Sequence, residues 1–254
     1  MVISREHYQL IAELQSIPSL SSSYLAGGTN LALRFNHRRS IDIDLFLNHI
    51  IGKTGFETIE TEMRRHLGNN LISIIYPCKI SDQFIFMRAV IALDGVNFKV
   101  EVLQNMKNVD SFEIYENIRL ATIKDVGLFK LISCSRRGSK KDIYDLDYIT
   151  DELTLSALLN ELKIKQTLYN GKEFETIFDL DSTDNPIDDP SFLLKFESIE
   201  SNQARPGHSS DYLDIISGNK TWAKARLSWR LKVRQIFRDG NLEFPRTKGL
   251  ETNE

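Results

Sequence analysis

The spacing of apolar residues divides the chain into a first part that mixes helices with strands and a second part that is mainly helical. Apolar residues at helical spacing predict helices over residues 4–17 and 56–67. Asp94-Gly95 predicts the turn of a hairpin. Three runs rich in β-branched and aromatic residues predict strands, namely 71–76, 84–93 and 96–103. The expected fold class is α/β with a mixed sheet core.

Strict alternation of apolar and acidic residues predicts one more strand over residues 41–46, Ile-Asp-Ile-Asp-Leu-Phe. Successive side chains on a strand point to opposite faces, so Asp42 and Asp44 point together to one side, while Ile41 and the apolar residues after it point to the other. Two like charges at this separation repel unless a cation lies between them. Mg²⁺ is the cation that such hard oxygen ligands suit.

A glycine turn lies a short distance before this acidic strand. A short apolar run at 24–26 predicts a strand, and Gly27-Gly28-Thr29 predicts a turn leading into helical residues 30–35. Glycines allow the backbone to approach a phosphate closely, and the N-terminus of the following helix favours negative charge. Metal and phosphate would then meet in one cleft. Each feature alone is common in proteins. A Gly-Gly turn occurs in many folds, and an isolated Asp-x-Asp pair is also found as exposed surface residues without a function or as a helix cap.

Together, the turn and the acidic strand resemble the nucleotidyltransferase superfamily of DNA polymerase β and the kanamycin nucleotidyltransferases. The run GGTNLALRF…HRRSIDIDLF resembles the AbiEii/AbiGii toxin family of bacterial toxin–antitoxin and abortive-infection systems. His37, Arg38, Ser40 and residues 42–46 are part of that resemblance, which covers roughly residues 20–150. Because His37, Arg38 and Arg39 directly precede the acidic strand, we expect their loop at the rim of the cleft.

Composition restricts the remaining possibilities. The 254 residues are 41% hydrophobic and 26% charged, with a net charge of -3, which is typical of a soluble globular protein. No apolar run is long enough to span a membrane and residues 1–10 lack the apolar core of a signal peptide, so we expect a cytoplasmic protein. Cys78 and Cys134 are too few and too widely spaced to predict a disulfide framework or a zinc site.

Glu101 is the candidate third carboxylate. Glu101 shares a face of the strand 96–103 with Lys99, and the superfamily usually carries a third carboxylate, most often Asp, on such a strand. Glu101 would then ligate metal or act as base for the attacking hydroxyl. The alternative is a strand glutamate paired with a lysine across the sheet.

The second half of the chain opens with two candidate capping boxes. Thr122-x-x-Asp125 and Ser139-x-x-Asp142 each predict the start of a helix. The family resemblance extends to the segment between and after them, through Lys130, Arg136, Arg137, Lys141, Asp142, Tyr144, Asp145 and Leu146. It implies that a lysine and arginines neutralise a bound triphosphate. For Asp142 the alternative is that it caps its own helix.

Opposite charges mark the C-terminal part of the chain. Residues 173–200 are rich in acids, whereas a predicted helix over 220–238 has seven Lys or Arg and no acid. The basic helix would contact RNA phosphates or pair with the acidic segment. Leu227 and Leu231 lie opposite its apolar stripe, which predicts packing on two faces.

The combined prediction is a nucleotidyltransferase-like core over residues 1–118 and a helical region over residues 119–254 that closes the active-site cleft. The resemblance implies Mg²⁺-dependent transfer of NMP from an NTP to an RNA, such as the acceptor end of tRNA, by a toxin held in check by an antitoxin. A small-molecule nucleotidyltransferase and a non-catalytic nucleotide-binding module are the alternatives. The catalytic residues expected are Asp42, Asp44, Glu101, Lys130 and Asp142, with Asp42 and Asp44 as metal ligands. The nucleotide-binding residues expected are Gly27, Gly28, Thr29, Arg136, Arg137 and Lys141, and the RNA-binding residues are Arg38 and Arg39.

Overall fold

A computed structural model describes residues 3–180, 182–197 and 212–245 of the chain. The described residues form two compact units. The first is drawn from Met1–Val126, Lys165–Asp181 and Asp214–Asn219, and the second from Gly127–Ile164, Ser182–Leu213 and Lys220–Glu254. Both units are discontinuous along the chain, whereas the sequence predicts two continuous parts, 1–118 and 119–254.

A mixed sheet of seven strands forms the centre of the first unit as described here. In chain order its strands are β1 (Tyr24–Leu25), β2 (Ile43–Phe46), β3 (Leu71–Cys78), β4 (Phe86–Leu93), β5 (Val96–Leu103), β6 (Glu113–Tyr115) and β7 (Ile118–Leu120). Their order across the sheet is β3-β4-β5-β2-β1-β7-β6. The pairs β2/β5 and β1/β7 are parallel, and the other neighbouring pairs are antiparallel. The mixed α/β class predicted from the sequence is confirmed.

The described residues of the two units also form helices. They are α1 (Arg5–Ser16), α2 (Gly27–Phe35), α3 (Gly52–Leu67), α4 (Ile123–Arg137), α5 (Lys140–Glu152), α6 (Leu155–Leu168) and α7 (Trp222–Asp239). The short segments Pro18–Leu20, Gly68–Asn70, Asp82–Phe84, Lys172–Phe174, Ile177–Leu180 and Pro190–Glu197 are 3₁₀-helical. Among the described helices, none combines the length and the apolar character that crossing a bilayer requires.

The apolar face of the sheet packs under α1 and α3. Leu10 and Leu14 from α1, Ile59 from α3 and Ile43 from β2 are completely buried in one apolar cluster. Burying one such side chain stabilises the fold by about 1.5–3 kcal/mol. Since side chains alternate along a strand, the polar residues of β2 and β5 lie on the opposite face of the sheet.

Several local predictions are confirmed by backbone geometry. Asp94 and Gly95 both have positive φ, 49° and 78°, as a two-residue type I′ hairpin turn requires. The Asp125 backbone N–H donates to the Thr122 hydroxyl at 3.1 Å, which is the capping contact predicted for α4. The hairpin of β6 and β7 is absent from the sequence-based prediction, because strands of three residues give too short an alternation to detect.

Two predictions about side-chain burial are wrong. The strand β2 begins at Ile43 rather than at Ile41, and Ile41 is 57% exposed instead of facing the core. The helix α7 packs on one face only. Its stripe is buried at Ala225, Trp229 and Val233, whereas Leu227 and Leu231 on the other side are more than half exposed.

Candidate active site

The register between β2 and β5 places the acidic residues side by side on one face of the sheet. Asp44 lies directly opposite Glu101 in the parallel pairing of the two strands, and Ile43 lies opposite Val100. Asp42 comes one residue before β2 and keeps the orientation of Asp44, since side chains alternate. Asp42, Asp44 and Glu101 are therefore grouped on the face that α1 and α3 leave uncovered.

The glycine turn packs directly against the Asp44 carboxylate. The Ala26 backbone N–H donates to the Asp44 carbonyl at 2.9 Å, which holds the turn beside β2. Gly27 has a φ of +64°, and a β-carbon added to it would lie 1.9 Å from Asp44 Oδ2. No side chain other than hydrogen fits between this backbone and the carboxylate. The turn and the acidic strand are thus joined at atomic contact.

The residues that follow anchor the turn to the rest of the sheet. The Thr29 hydroxyl donates to the backbone carbonyl of Asp42 and lies 3.0 Å from the Ser40 hydroxyl. The buried Asn30 amide donates to the carbonyls of Leu25 and Ala121 at 2.8 and 2.9 Å. These bonds fix α2 to β1, to the end of β7 and to the loop before β2. The Thr29 side chain therefore positions the turn, and the phosphate contact expected for this residue stays a prediction.

The basic loop before β2 is largely buried, which corrects the expectation that it lies at the rim of the cleft. His37 and Arg38 are 0% and 4% exposed. A β-carbon added to Gly28 would lie 2.2 Å from a terminal nitrogen of Arg38, so the guanidinium lies against the turn itself. A buried guanidinium at this place is not available to an RNA backbone running over the surface.

A distant segment of the chain covers this loop. The backbone N–H of Arg39 donates to the carbonyl of Asp214 at 2.8 Å, and that of Ile216 donates to the carbonyl of His37 at 3.1 Å. The Arg39 side chain is 62% exposed and lies 3.5 Å from the Asp214 carboxylate. Arg39 is thus the residue of this loop whose charge remains at the surface.

Two cations neutralise the acidic group. Lys99 Nζ lies 3.1 Å from Asp42 Oδ2 and 3.6 Å from Glu101 Oε2, and Arg88 from β4 lies 2.7 Å from Glu101 Oε1. Burial by itself would lower the pKa of Lys99, but the charges of Glu101, Asp42 and Asp44 outweigh it and raise that pKa above its usual value. Lys99 is therefore an ammonium at neutral pH. Sequence reasoning placed Lys99 on this face without giving it a role, and it did not anticipate Arg88.

His7 is a further residue near the acidic group that sequence reasoning missed. It is 2% exposed, its ring lies 4.9 Å from that of Phe98, and within the described ranges its Nε2 has no hydrogen-bond partner. Burial lowers the pKa of His7 to about 4, although the charge of Asp42 acts in the opposite direction. The imidazole is neutral at pH 7, and its position in the apolar stripe of α1 gave no signal for a site.

The donor set for a metal ion consists of two carboxylates. In the part of the chain that the structure describes, no group of three or more His, Cys, Asp or Glu side chains is arranged to hold a metal. Glu101 is turned toward Arg88, and Asp42 and Asp44 are the candidate oxygen ligands on this face. Mg²⁺ typically takes one or two protein carboxylates and completes its coordination with water and phosphate oxygens. The pair matches that requirement.

The second unit has its own cluster of buried charges. Lys130 Nζ lies 2.7 Å from Asp142 Oδ1 and 2.8 Å from Asp145 Oδ2, and Arg137 Nε lies 2.7 Å from Asp142 Oδ2. Both aspartates are completely buried. Burial would raise the pKa of Asp142, but Arg137 and Lys130 hold it well below its usual range. The cluster contains two positive and two negative charges and is balanced.

The contacts of the Asp142 carboxylate bear on the alternative that it caps its own helix. Ser139 is the N-cap residue of α5, but its side chain makes no capping hydrogen bond, and the Asp142 carboxylate binds Lys130 and Arg137 instead. The ion pairs with Lys130 and Arg137 are thus the contacts of Asp142 seen here, and the helix-capping alternative stays a prediction. Arg136, whose Nε donates to the Asp184 carbonyl at 3.4 Å, and Lys141 in the first turn of α5 are both partly buried. The catalytic role of Lys130 and Asp142 and the nucleotide contacts of the neighbouring cations stay predictions.

The basic charges of α7 are paired with acids of the second unit. Lys232 Nζ lies 2.9 Å from Asp147 Oδ1 and 2.7 Å from Asp151 Oδ1. Arg230 contacts Glu197, a residue of the acidic segment. The pairing alternative given for this helix is confirmed in these contacts. Pairing with acids thus accounts for part of the positive charge of α7.

Comparison with known proteins agrees with this geometry. The sequence profile described as "Nucleotidyl transferase AbiEii toxin, Type IV TA system" matches residues 10–221, which is most of the chain. The protein belongs to the AbiEii family. The resemblance inferred from the glycine turn and the acidic strand is confirmed, and with it the class of enzyme, a nucleotidyltransferase.

Two further similarities are consistent with the AbiEii assignment. An uncharacterized protein of Aquifex aeolicus (strain VF5) is 26% identical over 147 residues, which span 58% of this chain and 66% of that relative, slightly under two thirds of its length. MenT4, a nucleotidyltransferase toxin from Mycobacterium tuberculosis H37Rv, matches in structure with a TM-score of 0.50 and 15% identity. That match covers 91% of this chain and 82% of MenT4. At this identity it shows the fold alone.

The contact between Gly27 and Asp44 predicts the effect of a single methyl group. Gly27→Ala should displace the Asp44 carboxylate, in addition to the cost of about 1–2 kcal/mol for an L-residue in the left-handed region. We expect triphosphate binding to weaken at least about tenfold, which corresponds to about 1.4 kcal/mol. Calorimetric titration with a nonhydrolysable triphosphate and urea unfolding would measure the two effects.

Two other glycines of this AbiEii protein serve as matched controls. Gly95→Ala has the same type of positive φ, but nothing lies within 4 Å of the added carbon, so it should lose stability without losing binding. Gly28→Ala has no positive φ and meets the flexible end of Arg38, so it should affect binding more than stability. Equal binding by Gly27→Ala and Gly95→Ala would contradict the packing described.

The charge cluster of the second unit predicts a pH-dependent stability. Asp142→Asn leaves Arg137 and Lys130 without their shared carboxylate, and breaking a buried pair in this way typically costs about 3–5 kcal/mol. The pKa of Asp142 is lowered on folding, so its contribution is present above the ordinary carboxyl pKa of 3.8 and is lost as the pH falls below that value. Urea unfolding at pH 7 and pH 3 would measure both quantities.

The exposed Asp94 provides the control for this measurement, because Asn tolerates the left-handed backbone at that turn. Asp94→Asn should leave the free energy of unfolding nearly unchanged at both pH values. The Asp142 assignment would be wrong if Asp142→Asn cost less than about 1 kcal/mol at pH 7, the range of an exposed ion pair.

Proposed function

We propose that this chain transfers a nucleoside monophosphate from a nucleoside triphosphate to a hydroxyl group of an RNA, with Mg²⁺ held by Asp42 and Asp44. The contact of Gly27 with the Asp44 carboxylate carries this proposal, because it joins a phosphate-binding turn to a pair of metal ligands. In the reaction, the acceptor hydroxyl loses its proton to solvent water and its oxygen bonds to the α-phosphorus. The bond from that phosphorus to the oxygen bridging the α- and β-phosphates breaks, and pyrophosphate leaves with the electron pair. Bound Mg²⁺ would supply charge neutralisation on the triphosphate.

The chain contributes the positions of the reacting groups. The first turn of α2 offers backbone N–H groups and the positive end of the helix dipole to the phosphates. The Thr29 and Asn30 hydrogen bonds hold that turn rigidly beside Asp42 and Asp44. We propose that Arg38, whose guanidinium lies against Gly28, contacts a phosphate of the triphosphate through this planar, permanently charged group. The RNA contact expected for Arg38 stays a prediction.

Glu101 combines features of both interpretations that the sequence left open. It lies opposite Asp44, where a third carboxylate would be needed, and it forms the ion pairs with Arg88 and Lys99 that a structural residue would form. We propose that Glu101 orients Lys99 and Arg88 beside the two metal ligands. Its role as a third metal ligand stays a prediction.

The two leading candidate functions differ in the acceptor, which is an RNA in one and a small molecule in the other. Membership of a toxin family of type IV toxin–antitoxin systems favours a cellular macromolecule such as tRNA as acceptor, with an antitoxin as partner and the cytoplasm as location. The burial of His37 and Arg38 favours the second candidate, transfer to a small molecule, because it leaves Arg39 as the cation of this loop that can reach a polynucleotide. We place the RNA acceptor first.

Loss of either metal ligand should abolish transfer. Asp42→Asn and Asp44→Asn should each lower the rate by more than about a hundredfold. Loss of a residue that only supports a metal ligand costs about 10–100-fold, and loss of the ligand itself should cost more. The assay is incubation with each radiolabelled triphosphate, Mg²⁺ and total cellular RNA, followed by electrophoresis. Asp94→Asn, which changes an exposed aspartate of the same sheet, should retain full activity. Wild-type rates in both site variants would disprove the metal site.

Binding of RNA should depend on salt through Arg39. Each phosphate contact releases a counterion, so Arg39→Ala should weaken RNA binding and reduce the slope of log K against log salt by about 1. Arg65→Ala, which removes an exposed arginine from α3, is the matched control and should leave the slope unchanged. A shallow slope that is the same in all three proteins would leave the small-molecule acceptor as the better candidate. Fractionating the labelled products by size would then identify it.

A further inference from the structure

The Lys99 ammonium lies between two of the acidic residues of the candidate site, Asp42 and Glu101. The ammonium is 3.1 Å from one oxygen of Asp42 and 3.6 Å from one oxygen of Glu101. The side chain is 34% exposed, and the Asp42 side chain is 32% exposed, so the contact is at the edge of solvent and can open. An ammonium and a divalent cation bound to the same carboxylate repel each other, so each weakens the binding of the other.

The pairing of β2 with β5 fixes the position of Lys99 beside Asp42. Ile43 pairs with Val100 and Asp44 with Glu101 in parallel register, so Lys99 lies on β5 one step before the Ile43 pair, beside Asp42. Alternation then directs Lys99 to the same face as the acidic residues. A different rotamer would change the distance to Asp42 but would not remove the lysine from this face.

The charges of the neighbouring residues explain why this lysine matters. Arg88 is already paired with Glu101 through two contacts at 2.7 Å. Lys99 is therefore the cation that compensates Asp42 on this face. Removing a positive charge at this distance strengthens the attraction of Asp42 for any other cation.

We propose that Lys99 is an internal counter-ion that competes with divalent metal for Asp42 and moves to the phosphates when the metal arrives bound to a triphosphate. Lys99 therefore weakens the binding of free metal and strengthens the binding of the metal–triphosphate complex, whose excess negative charge receives the displaced ammonium. This inference rests on the proposed function, since it assumes that Asp42 and Asp44 hold the metal.

Two opposite changes in affinity test this inference. Mn²⁺ serves as the probe, and free Mn²⁺ is measured by electron paramagnetic resonance with the full chain. Lys99→Met should bind Mn²⁺ without nucleotide at least about tenfold more tightly than wild type, since a competing charge is lost. The same variant should bind Mn²⁺ together with a nonhydrolysable triphosphate more weakly, because the phosphates lose a cation. Lys99→Gln is measured alongside as a second neutral variant of different shape.

Lys99→Arg and Lys53→Met separate the effect of the Lys99 charge on metal binding from effects of side-chain packing. Lys99→Arg keeps the charge and should keep both affinities within a few-fold of wild type. Lys53→Met removes a lysine that is 75% exposed on α3 and should change neither affinity. Unchanged or weaker binding of free Mn²⁺ by both Lys99→Met and Lys99→Gln would overturn the inference.

Asp42→Asn shows which proposal fails if the result is negative. If Asp42→Asn loses Mn²⁺ binding while both neutral Lys99 variants bind like wild type, the metal site stands and the role of Lys99 is wrong. If wild type, Asp42→Asn and the neutral Lys99 variants bind Mn²⁺ equally or not at all, the metal site itself is wrong and both proposals fail. Tighter Mn²⁺ binding by the neutral variants, lost again when Asp42→Asn is added, supports both.

Discussion

The parallel pairing of β2 with β5 is the constraint on which the rest of the candidate site depends. It sets Asp44 opposite Glu101 and brings Lys99 beside Asp42, and because the period of a strand is two, all four side chains share one face. A shift of the register by one residue would turn the acids into the apolar face under α1 and α3. The apolar packing of Ile43 and Val100 on the other face therefore fixes the chemistry of this one.

Neutralisation of acids by nearby cations recurs in both units, with different consequences. In the second unit Lys130 and Arg137 surround fully buried aspartates, so the charges are fixed and removing one partner is costly. In the first unit the contact of Lys99 with Asp42 is one-third exposed, so solvent screens it and the pair contributes less to stability than a buried one. The same pairing of charge is therefore a larger part of the stability where it is buried than where it meets solvent.

Features encoded by neighbouring residues could be predicted from the sequence, whereas contacts between distant segments could not. The alternation before Phe46, the Asp94-Gly95 turn and the Thr122 cap depend on residues a few positions apart, and each is found in the structure. The burial of Arg38 depends on the segment around Ile215, which is far away in the chain and carries no pattern that points to strand pairing. The exposed position expected for Arg38 from charge alone is the part of the prediction that its burial contradicts, while its RNA role stays a prediction.

The two glycines of the turn are required for different physical reasons. Gly27 needs both a positive φ and empty space, because the Asp44 carboxylate occupies the volume of a β-carbon. Gly28 needs only space, and its neighbour is the end of Arg38, a flexible side chain that can shift. A phosphate-binding turn by itself would require glycine for close approach of the ligand. Here the Asp44 carboxylate and the Arg38 guanidinium already occupy that space, so packing inside the protein is by itself a sufficient reason for the Gly-Gly pair.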